Sequence, residues 1–241
     1  MTHRILVDLS HNEQVEEFPE FSLGEDDYDI EYIDKNDDFT EIDLEDYDLL
    51  FFGNIQHSKD GKKDKFTPEQ LRNIKKFVGE GGGLLLTSGI GGDHDITMKQ
   101  GSIRVLYKMT GVRRFWNGNV LESSSNFLVK KKNLTITDLF SHPITKGVTM
   151  VVFPNCTFFD LTEEDVEDII VTSEKAEFKY FDEKKGDVGT VPIGVVSDFY
   201  NGRCVTLGSS DFLLEDSDYG IDAGDNLKFL DNVVKWLAFE I

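Results

Sequence analysis

The sequence predicts an α/β fold of three layers, in which helices cover both faces of a mostly parallel central sheet. One observation is a set of uninterrupted apolar runs of strand length, at residues 5–7, 49–52 and 84–86. Such runs are typical of strands that are buried on both faces, as in a parallel sheet. The second observation is an amphipathic helical pattern at 67–78, between two of these runs. Strand, helix and strand with short turns form the βαβ pattern, which joins parallel strands.

The helix at 67–78 has well-marked ends. Thr67 is suited to the N-cap, Pro68 to the first helical position, and Gln70 stands where it completes a capping box. Gly79 and the run of glycines at 81–83 then stop the helix, because glycine readily adopts the backbone conformation that follows a helix C-terminus.

The other predicted elements complete one domain. They are, in chain order, a weaker strand at 30–33, a Gly-rich loop at 89–92, a short helix around 103–107, a β-rich segment at about 112–200, a hairpin turn at Asn201–Gly202, a strand at 203–207, and a helix at 226–237. We therefore predict a single domain over residues 1–241 that carries a β-rich lobe at about 112–200. We expect the last helix to pack near a sheet edge formed by strand 203–207.

Composition excludes several classes of protein. The chain has 241 residues and a formal net charge of −21, so phosphate backbones and anionic lipid heads would repel it. No apolar run reaches the roughly 20 residues that span a bilayer. No secretory leader pattern opens the sequence, and Cys156 and Cys204 do not form a disulfide framework. We therefore predict a cytoplasmic protein that binds neither nucleic acid nor membranes.

The charge makes a prediction about stability. With a net charge of −21, repulsion within the folded chain opposes its compact state. Because salt screens exposed charges, we expect the melting temperature to be higher in about 0.5 M NaCl than in a low-salt buffer. A thermal melt in the two buffers tests this. An equal melting temperature in both would mean that the charges are already compensated.

Three blocks of sequence resemble the GIFT domain of the class I glutamine-amidotransferase-like superfamily. The first block is KFTPEQL at 65–71 with GGGLLL at 81–86 and GIGGD at 89–93, and the second is GRCVTLGSSDF at 202–212. The third, HPITKGV at 142–148, resembles a loop of trehalose-utilisation-type relatives. GIFT domains occur in a subunit of the intraflagellar transport B complex and in bacterial gliding-motility proteins. The resemblance implies a flavodoxin-like, doubly wound sheet.

The resemblance also implies where catalytic residues would lie, and they are missing. Active amidotransferases of this fold place a cysteine on a sharp turn after the strand that ends here near Thr87. The position with suitably small neighbours is Gly89, which carries no nucleophile. The His-x-Glu pair that follows the last strand in the family has no counterpart in residues 207–211. The sequence therefore predicts no amidotransferase activity, and a turn centred on Gly89.

A rebuilt site remains as an alternative. Ser88 could act as a nucleophile with His11, His57 or His94, since all four follow strands at the same predicted sheet edge. The simpler interpretation is that Ser88 is a small residue where the backbone turns, with its hydroxyl bonded to nearby backbone and no histidine within reach.

Polar residues follow the predicted strands at their carboxyl ends, where ligands bind in open parallel sheets. The candidate ligand-binding residues are Ser10, His11, Asn12, Asn54, Gln56, Ser88, Gly89, Asp93, Ser209, Ser210 and Asp211. Their hydroxyl, amide and carboxylate groups suit a neutral, hydroxyl-rich ligand such as a sugar. We therefore predict a non-catalytic binding module for a small polar ligand. The alternatives are a structural subunit with a protein partner and a serine hydrolase that uses Ser88.

No cofactor and no metal site are predicted. The acidic loops at 93–95 and 216–222 could each hold a cation, and the sequence leaves this open. A phosphate-binding role for the Gly-rich loop is disfavoured, because no Walker lysine follows it and Asp93 and Asp95 would repel phosphate.

Overall fold

The computed structural model describes residues 2–15, 17–19, 28–35, 37–56, 66–89, 106, 109–122, 126–161, 166–180, 185–215 and 217–241. In this part of the chain the strands and helices are β1 (His3–Asp8), β2 (Tyr28–Ile33), β3 (Leu49–Gly53), α1 (Pro68–Gly79), β4 (Gly83–Thr87), β5 (Val112–Phe115), β6 (Gly118–Leu121), β7 (Asn133–Ile136), β8 (Val151–Pro154), β9 (Phe159–Leu161), β10 (Val166–Val171), β11 (Glu177–Tyr180), β12 (Lys185–Asp187), β13 (Pro192–Phe199), β14 (Gly202–Leu207) and α2 (Asn226–Leu237).

The central sheet has seven strands in the order β10-β13-β14-β4-β3-β1-β2. The five strands β2, β1, β3, β4 and β14 are parallel to one another. Beyond them, β13 pairs antiparallel with β14, and β10 pairs antiparallel with β13. The five parallel strands follow the order 2-1-3-4-5, which is the order of flavodoxin-like folds. The predicted fold class and the central position of strand 84–86 are confirmed.

The apolar runs are buried because both faces of the sheet are covered. In β3, Leu49 and Phe51 belong to one hydrophobic cluster, and Leu50 and Phe52 belong to the other. Helix α2 packs into the first cluster and helix α1 into the second. Side chains of a strand alternate between faces, so a strand between two helical layers must be apolar at every position. This arrangement gives the predicted three layers.

Helix α1 begins as its sequence predicts. The Thr67 hydroxyl oxygen accepts a hydrogen bond from the Gln70 backbone N–H at 3.2 Å. The Gln70 side-chain oxygen in turn accepts one from the Thr67 backbone N–H at 2.6 Å. Two N–H groups that the helix itself cannot satisfy are thus paired, which fixes where the chain enters the helix.

Strand β14 differs from its expected place. Because β13 and β10 lie beyond it, β14 is an interior strand, and the prediction that it forms a sheet edge is wrong. Helix α2 packs against both β14 and β4. The sequence indicated the hairpin that joins β13 to β14, but local pattern cannot tell whether a hairpin extends the main sheet or folds away from it.

The hairpin turn is also displaced by one residue. Phe199 pairs with Gly202, so the two turn residues are Tyr200 and Asn201 rather than the predicted Asn201–Gly202. Tyr200 adopts the left-handed conformation with φ of 54°. Gly202 already belongs to β14. This position requires glycine because a β-carbon there would overlap the backbone of Val78 in α1, and not because of the turn.

The β-rich segment divides between the central sheet and smaller sheets. Strands β10 and β13 join the central sheet, whereas β6, β11 and β12 form a separate three-stranded sheet. Two-stranded sheets pair β5 with β9 and β7 with β8. The single-domain organisation with a lobe at about 112–200 stays a prediction.

Several sequence expectations lie outside the described residues. These are His57, the Gly-rich loop beyond Gly89, the residues Asp93, His94 and Asp95, most of the short helix around 103–107, and Asp216. Among the described residues, no helix has the length and apolar character needed to cross a bilayer.

Candidate functional site

Four parallel strands deliver polar residues to the same edge of the sheet. Strands β1, β3, β4 and β14 end at Asp8, Gly53, Thr87 and Leu207. Parallel strands finish at one common edge, and this edge is where ligands bind in open α/β sheets. All of the predicted site residues within the described part of the chain follow one of these four strands.

Amide side chains after β1 and β3 form one hydrogen-bonded group. The Asn54 side-chain amide donates to Oε1 of Gln14 at 2.6 Å, and the Gln56 amide donates to the same oxygen at 3.3 Å. The Asn12 side-chain amide donates to the backbone carbonyl oxygen of Gln56 at 2.7 Å. Asn12 and Asn54 have φ of 65° and 53°. Asparagine tolerates this left-handed backbone better than other non-glycine residues, so the two positions hold their amides in fixed directions.

A second polar group comes from the β-rich segment. Asn155, which follows β8, has φ of 50°. Its amide nitrogen donates to the carboxylate of Asp211, and its amide oxygen accepts a hydrogen bond from Nζ of Lys132 at 2.7 Å. Of these three residues, the sequence analysis had identified only Asp211. Asn155 thereby links a cation and a carboxylate that are far apart in the chain.

The two groups meet at Gly89. A β-carbon at this position would lie 3.0 Å from Nδ2 of Asn54 and 3.8 Å from the backbone oxygen of Asn155. A side chain at residue 89 would therefore crowd the Asn54 amide and would be in ordinary contact with the backbone of Asn155. We call the set Asn12, Gln14, Asn54, Gln56, Gly89, Lys132, Asn155 and Asp211 the polar edge.

The serines of this region tie loops together. The hydroxyls of Thr87 and Ser210 are 2.8 Å apart, and the Ser210 hydroxyl also lies 3.2 Å from the Ser88 carbonyl oxygen. Ser209 donates to the Pro154 carbonyl oxygen at 2.5 Å. All these hydroxyl-bearing residues are buried. They fasten the ends of β4, β8 and β14 to one another beneath the polar edge.

Gly89 does not form a strained nucleophile turn. Its φ lies outside the left-handed range, so the strained backbone expected there is not found, while the course of the chain after Gly89 lies outside the described residues. Ser88 is buried, and its backbone N–H donates to the Leu207 carbonyl oxygen at 2.8 Å, which continues the β4–β14 pairing. Parallel pairing through residue 88 leaves no need for the backbone to reverse there.

Ser88 has no histidine partner within the described residues, and the expected bond from its hydroxyl to backbone is not found there either. His11 turns its Nδ1 to Asp8 at 2.5 Å and to the Ser10 hydroxyl at 3.0 Å. His57 and His94, the other two candidates, lie outside the described part of the chain.

The two cysteines are sealed in the protein interior. Cys204 lies in β14, and burial raises the pKa of its thiol to about 12. Cys156 follows Asn155 in the chain, and its sulfur would lie 3.0 Å from a β-carbon at Gly208. Burial raises the pKa of its thiol well above the ordinary value. A nucleophilic cysteine acts as its thiolate, so neither residue suits that role at neutral pH.

His11 belongs to a buried cluster with two carboxyl groups. Asp8, His11 and Glu13 place ligating atoms within 4.8 Å of one another, and all three are buried. The His11 ring stacks on Phe66 with the ring centroids 3.8 Å apart. The backbone N–H of His11 donates to Oε2 of Glu13 at 2.9 Å. His11 is therefore packed below the surface of the sheet edge rather than presented on it.

The two carboxyl groups of this cluster have different pKa values. Burial disfavours ionisation of Asp8, but hydrogen bonds from His11 and Ser10 outweigh it, and the pKa of Asp8 lies below its ordinary value. Burial and the neighbouring Asp8 carboxylate raise the pKa of Glu13 to about 10. A like charge and a low dielectric both oppose ionisation of the second carboxyl.

Comparison with known proteins identifies the family. The family model for trehalose utilisation, ThuA, matches residues 7–219. The chain belongs to the ThuA family. This match confirms the resemblance to trehalose-utilisation-type proteins. No curated protein matches the sequence.

Solved structures show the same fold as this ThuA-family chain. The mmIFT52 N-terminal domain is 19% identical with a TM-score of 0.73, and the match covers 97% of this chain and 97% of that one. A ThuA-like protein from Bacteroides uniformis is 18% identical with a TM-score of 0.58, covering 98% and 91% of the two chains. A cytoplasmic protein from Salmonella typhimurium is 15% identical with a TM-score of 0.57, covering 98% of each. The first likeness agrees with the GIFT-domain resemblance.

One of the residues that the sequence analysis missed carries a signal in the sequence. Asn155, like Asn54, directly follows a strand and adopts positive φ. An asparagine that immediately follows a predicted strand is thus a usable sign of a fixed polar side chain. Lys132 carries no such sign, since its role depends on Asn155.

Proposed function

We propose that this ThuA-family protein binds a small, neutral, hydroxyl-rich ligand, of the carbohydrate class, at the polar edge and does not transform it. The observation that carries the proposal is a pair of polar groups, one of amides and one that joins an amide to a carboxylate and an ammonium, with Gly89 between Asn54 of the first and the backbone of Asn155 of the second. Sugar hydroxyls both donate and accept hydrogen bonds, and such a mixed set of groups offers both. The family's description, trehalose utilisation, supports the same class of ligand.

The electrostatics of the polar edge support a neutral ligand. The ammonium of Lys132 and the carboxylate of Asp211 both bind the Asn155 amide, so the edge carries one charge of each sign. The chain as a whole is strongly acidic, which would hold anionic ligands away. A neutral ligand would avoid that repulsion.

The lack of a nucleophile–base pair in the described residues supports binding without chemistry. Ser88 has no histidine partner there, and both cysteines are buried with raised thiol pKa values. Hydrolysis of an acyl or related bond needs an activated nucleophile within reach of its base. We therefore expect that a fluorophosphonate probe does not label Ser88.

A thermal-shift panel of neutral mono- and disaccharides tests the proposal. A ligand that binds only the folded protein raises its melting temperature. For the sugar that gives a shift, we expect Asn155→Ala to weaken binding about 2- to 10-fold, because one hydrogen bond contributes about 0.5–1.5 kcal/mol.

Two matched controls make this result specific. Ser88→Ala should bind the same sugar as the unmodified protein, since the bonds of Ser88 to Leu207 and Ser210 use its backbone groups, which alanine keeps. Asn232→Ala removes an asparagine whose amide binds the carbonyl oxygens of Ile144 and Lys146 instead. It should also leave affinity unchanged. If no sugar shifts the melting temperature and the protein instead captures one partner protein, the structural-subunit alternative replaces the binding module.

A further inference from the structure

The cluster of Asp8, His11 and Glu13 combines three ligand types in a short stretch of chain. Asp8 is the last residue of β1, and the other two lie on the loop that follows it. One oxygen or nitrogen atom of each lies within 4.8 Å of the others. Two carboxylates and one imidazole form a mixed oxygen and nitrogen set, which first-row transition metals accept.

A separate observation indicates that this cluster is not complete as a hydrogen-bonded network. Oε1 of Glu13 is buried and has no hydrogen-bond partner among the described residues. Glu13 itself is only 6% exposed, and its carboxyl group is hydrogen-bonded to that of Asp8, so the two groups share a proton. A buried carboxyl oxygen without a partner is costly, and both groups could ionise together only if another charge offset their repulsion. A cation between them would take the place of the shared proton and would also give Oε1 a partner.

The surroundings are suited to a buried ion rather than to a solvated acidic loop. His11 packs against the rings of Phe39, Phe52 and Phe66, with centroid distances of 5.7, 6.5 and 3.8 Å. These apolar side chains keep bulk water from the imidazole. In a site of low dielectric, ion–ligand attraction is stronger than in water.

We propose that Asp8, His11 and Glu13 form a binding site for a divalent transition metal of the Zn²⁺ type. Three protein ligands that include one imidazole suit Zn²⁺, whereas Ca²⁺ takes six to eight oxygen ligands and Mg²⁺ prefers an octahedral oxygen shell. The sequence analysis assigned no metal here, because it treated His11 as a separate member of the sheet edge.

The metal would fasten the loop that carries part of the polar edge. Asn12 and Gln14 alternate with His11 and Glu13 along the chain. Gln14 receives the hydrogen bonds of Asn54 and Gln56. Ligands at residues 11 and 13 would hold the backbone of this loop and so keep the amides at 12 and 14 in place. The role is structural, below the ligand site, and does not depend on which ligand binds above.

The test is metal binding to chelator-treated protein, measured by equilibrium dialysis and by calorimetry with Zn²⁺ alone. The buffer contains about 0.15 M salt and an excess of Mg²⁺, so that weak binding to surface acids is suppressed. We expect one Zn²⁺ per chain. Glu13→Gln, which keeps the size of the side chain, should lower affinity at least about 10-fold, the scale of losing even a supporting residue of a metal site.

A matched control separates this site from general loss of a buried acid. Glu122 is also buried, but both its oxygens are satisfied, by the backbone N–H and the hydroxyl of Ser173. Glu122→Gln should bind Zn²⁺ as the unmodified protein does. Zn²⁺ should raise the melting temperature of the unmodified and Glu122→Gln proteins, and should leave that of Glu13→Gln unchanged.

A spectrum identifies the imidazole. Co²⁺ in place of Zn²⁺ should give a visible absorption band in the unmodified protein that is lost in His11→Asn. If His11→Asn does not fold, Asp8→Asn is measured by the same dialysis and should also lose the ion. Absence of Zn²⁺ binding at one equivalent, or equal binding by the unmodified and Glu13→Gln proteins, overturns the proposal. Neither result bears on sugar binding, which the saccharide panel measures separately.

Discussion

Gly202→Ala is expected to destabilise the protein by about 3 kcal/mol or more, the upper part of the range for overpacking a well-filled site. Gly202 is the first residue of β14 and pairs with Phe199. A β-carbon there would overlap the carbonyl oxygen of Val78 at the end of α1, and would lie 2.5 Å from the Gly82 carbonyl oxygen. Both obstacles are backbone atoms, which cannot rotate away as a side chain could. Relief requires α1 to move off the sheet.

Gly186→Ala is the matched control for this substitution. Gly186 also lies in a strand, β12, and a β-carbon at this position meets nothing within 4 Å. Neither glycine has positive φ, so backbone strain does not distinguish the two. Urea unfolding should show a large decrease in the free energy of unfolding for Gly202→Ala and almost none for Gly186→Ala. Equal effects would show that strand propensity, not close packing against α1, explains the glycine.

Asn226→Ala is the second substitution with a large expected effect. Asn226 is the first residue of α2 and is fully buried. Its amide oxygen accepts from the Val152 backbone N–H at 2.8 Å, and its amide nitrogen donates to the carbonyl oxygens of Val152 and Gly220, each at 2.8 Å. The side chain thus substitutes for a strand partner of β8. Alanine would take this partner away from the buried N–H and carbonyl groups of Val152, and would remove one of the two hydrogen bonds to the Gly220 carbonyl oxygen.

Each buried polar group that loses its partner costs about 1–3 kcal/mol, so we expect Asn226→Ala to lower the free energy of unfolding by about 3–5 kcal/mol. Asn232→Ala, in the same helix, is the control. Asn232 is only partly buried and donates to two loop carbonyl oxygens, so the expected loss is about 1 kcal/mol. Chemical denaturation of both variants makes the comparison. Similar losses for both would contradict the bridging role of Asn226 between β8 and α2.

The sequence could predict much of the fold because the signals are local. The apolar runs of β1, β3 and β4 require burial on both faces, and the capping box at Thr67 marks the first turn of α1 without any tertiary information. The hairpin before β14 was predicted for a partly incorrect reason. Gly202 is required because β14 packs closely against α1 at this position, whereas the left-handed turn position is occupied by Tyr200.

The candidate site was predictable only in part. Asn54 and Asp211 were found because each follows a predicted strand at its carboxyl end. Asn155 and Lys132 lie in the β-rich segment, whose place relative to the central sheet depends on contacts distant in sequence. Asp8, His11 and Glu13 lie within six residues of one another, so their closeness in the sequence was evident. Strand and loop patterns do not show which side chains point into the interior, however, and the buried cluster was therefore not predicted.

The sequence by itself determined the three-layer fold, the parallel centre of the sheet and the ends of α1, because periodicity and capping act over a few residues. Tertiary structure alone decided that β13 and β10 extend the sheet, which makes β14 an interior strand. It also decided that Asn155 meets Asp211 beside Gly89. Both outcomes depend on packing and on hydrogen bonds between segments that are far apart in the sequence. Such contacts form only when the chain folds, so a local pattern of residues does not reveal them.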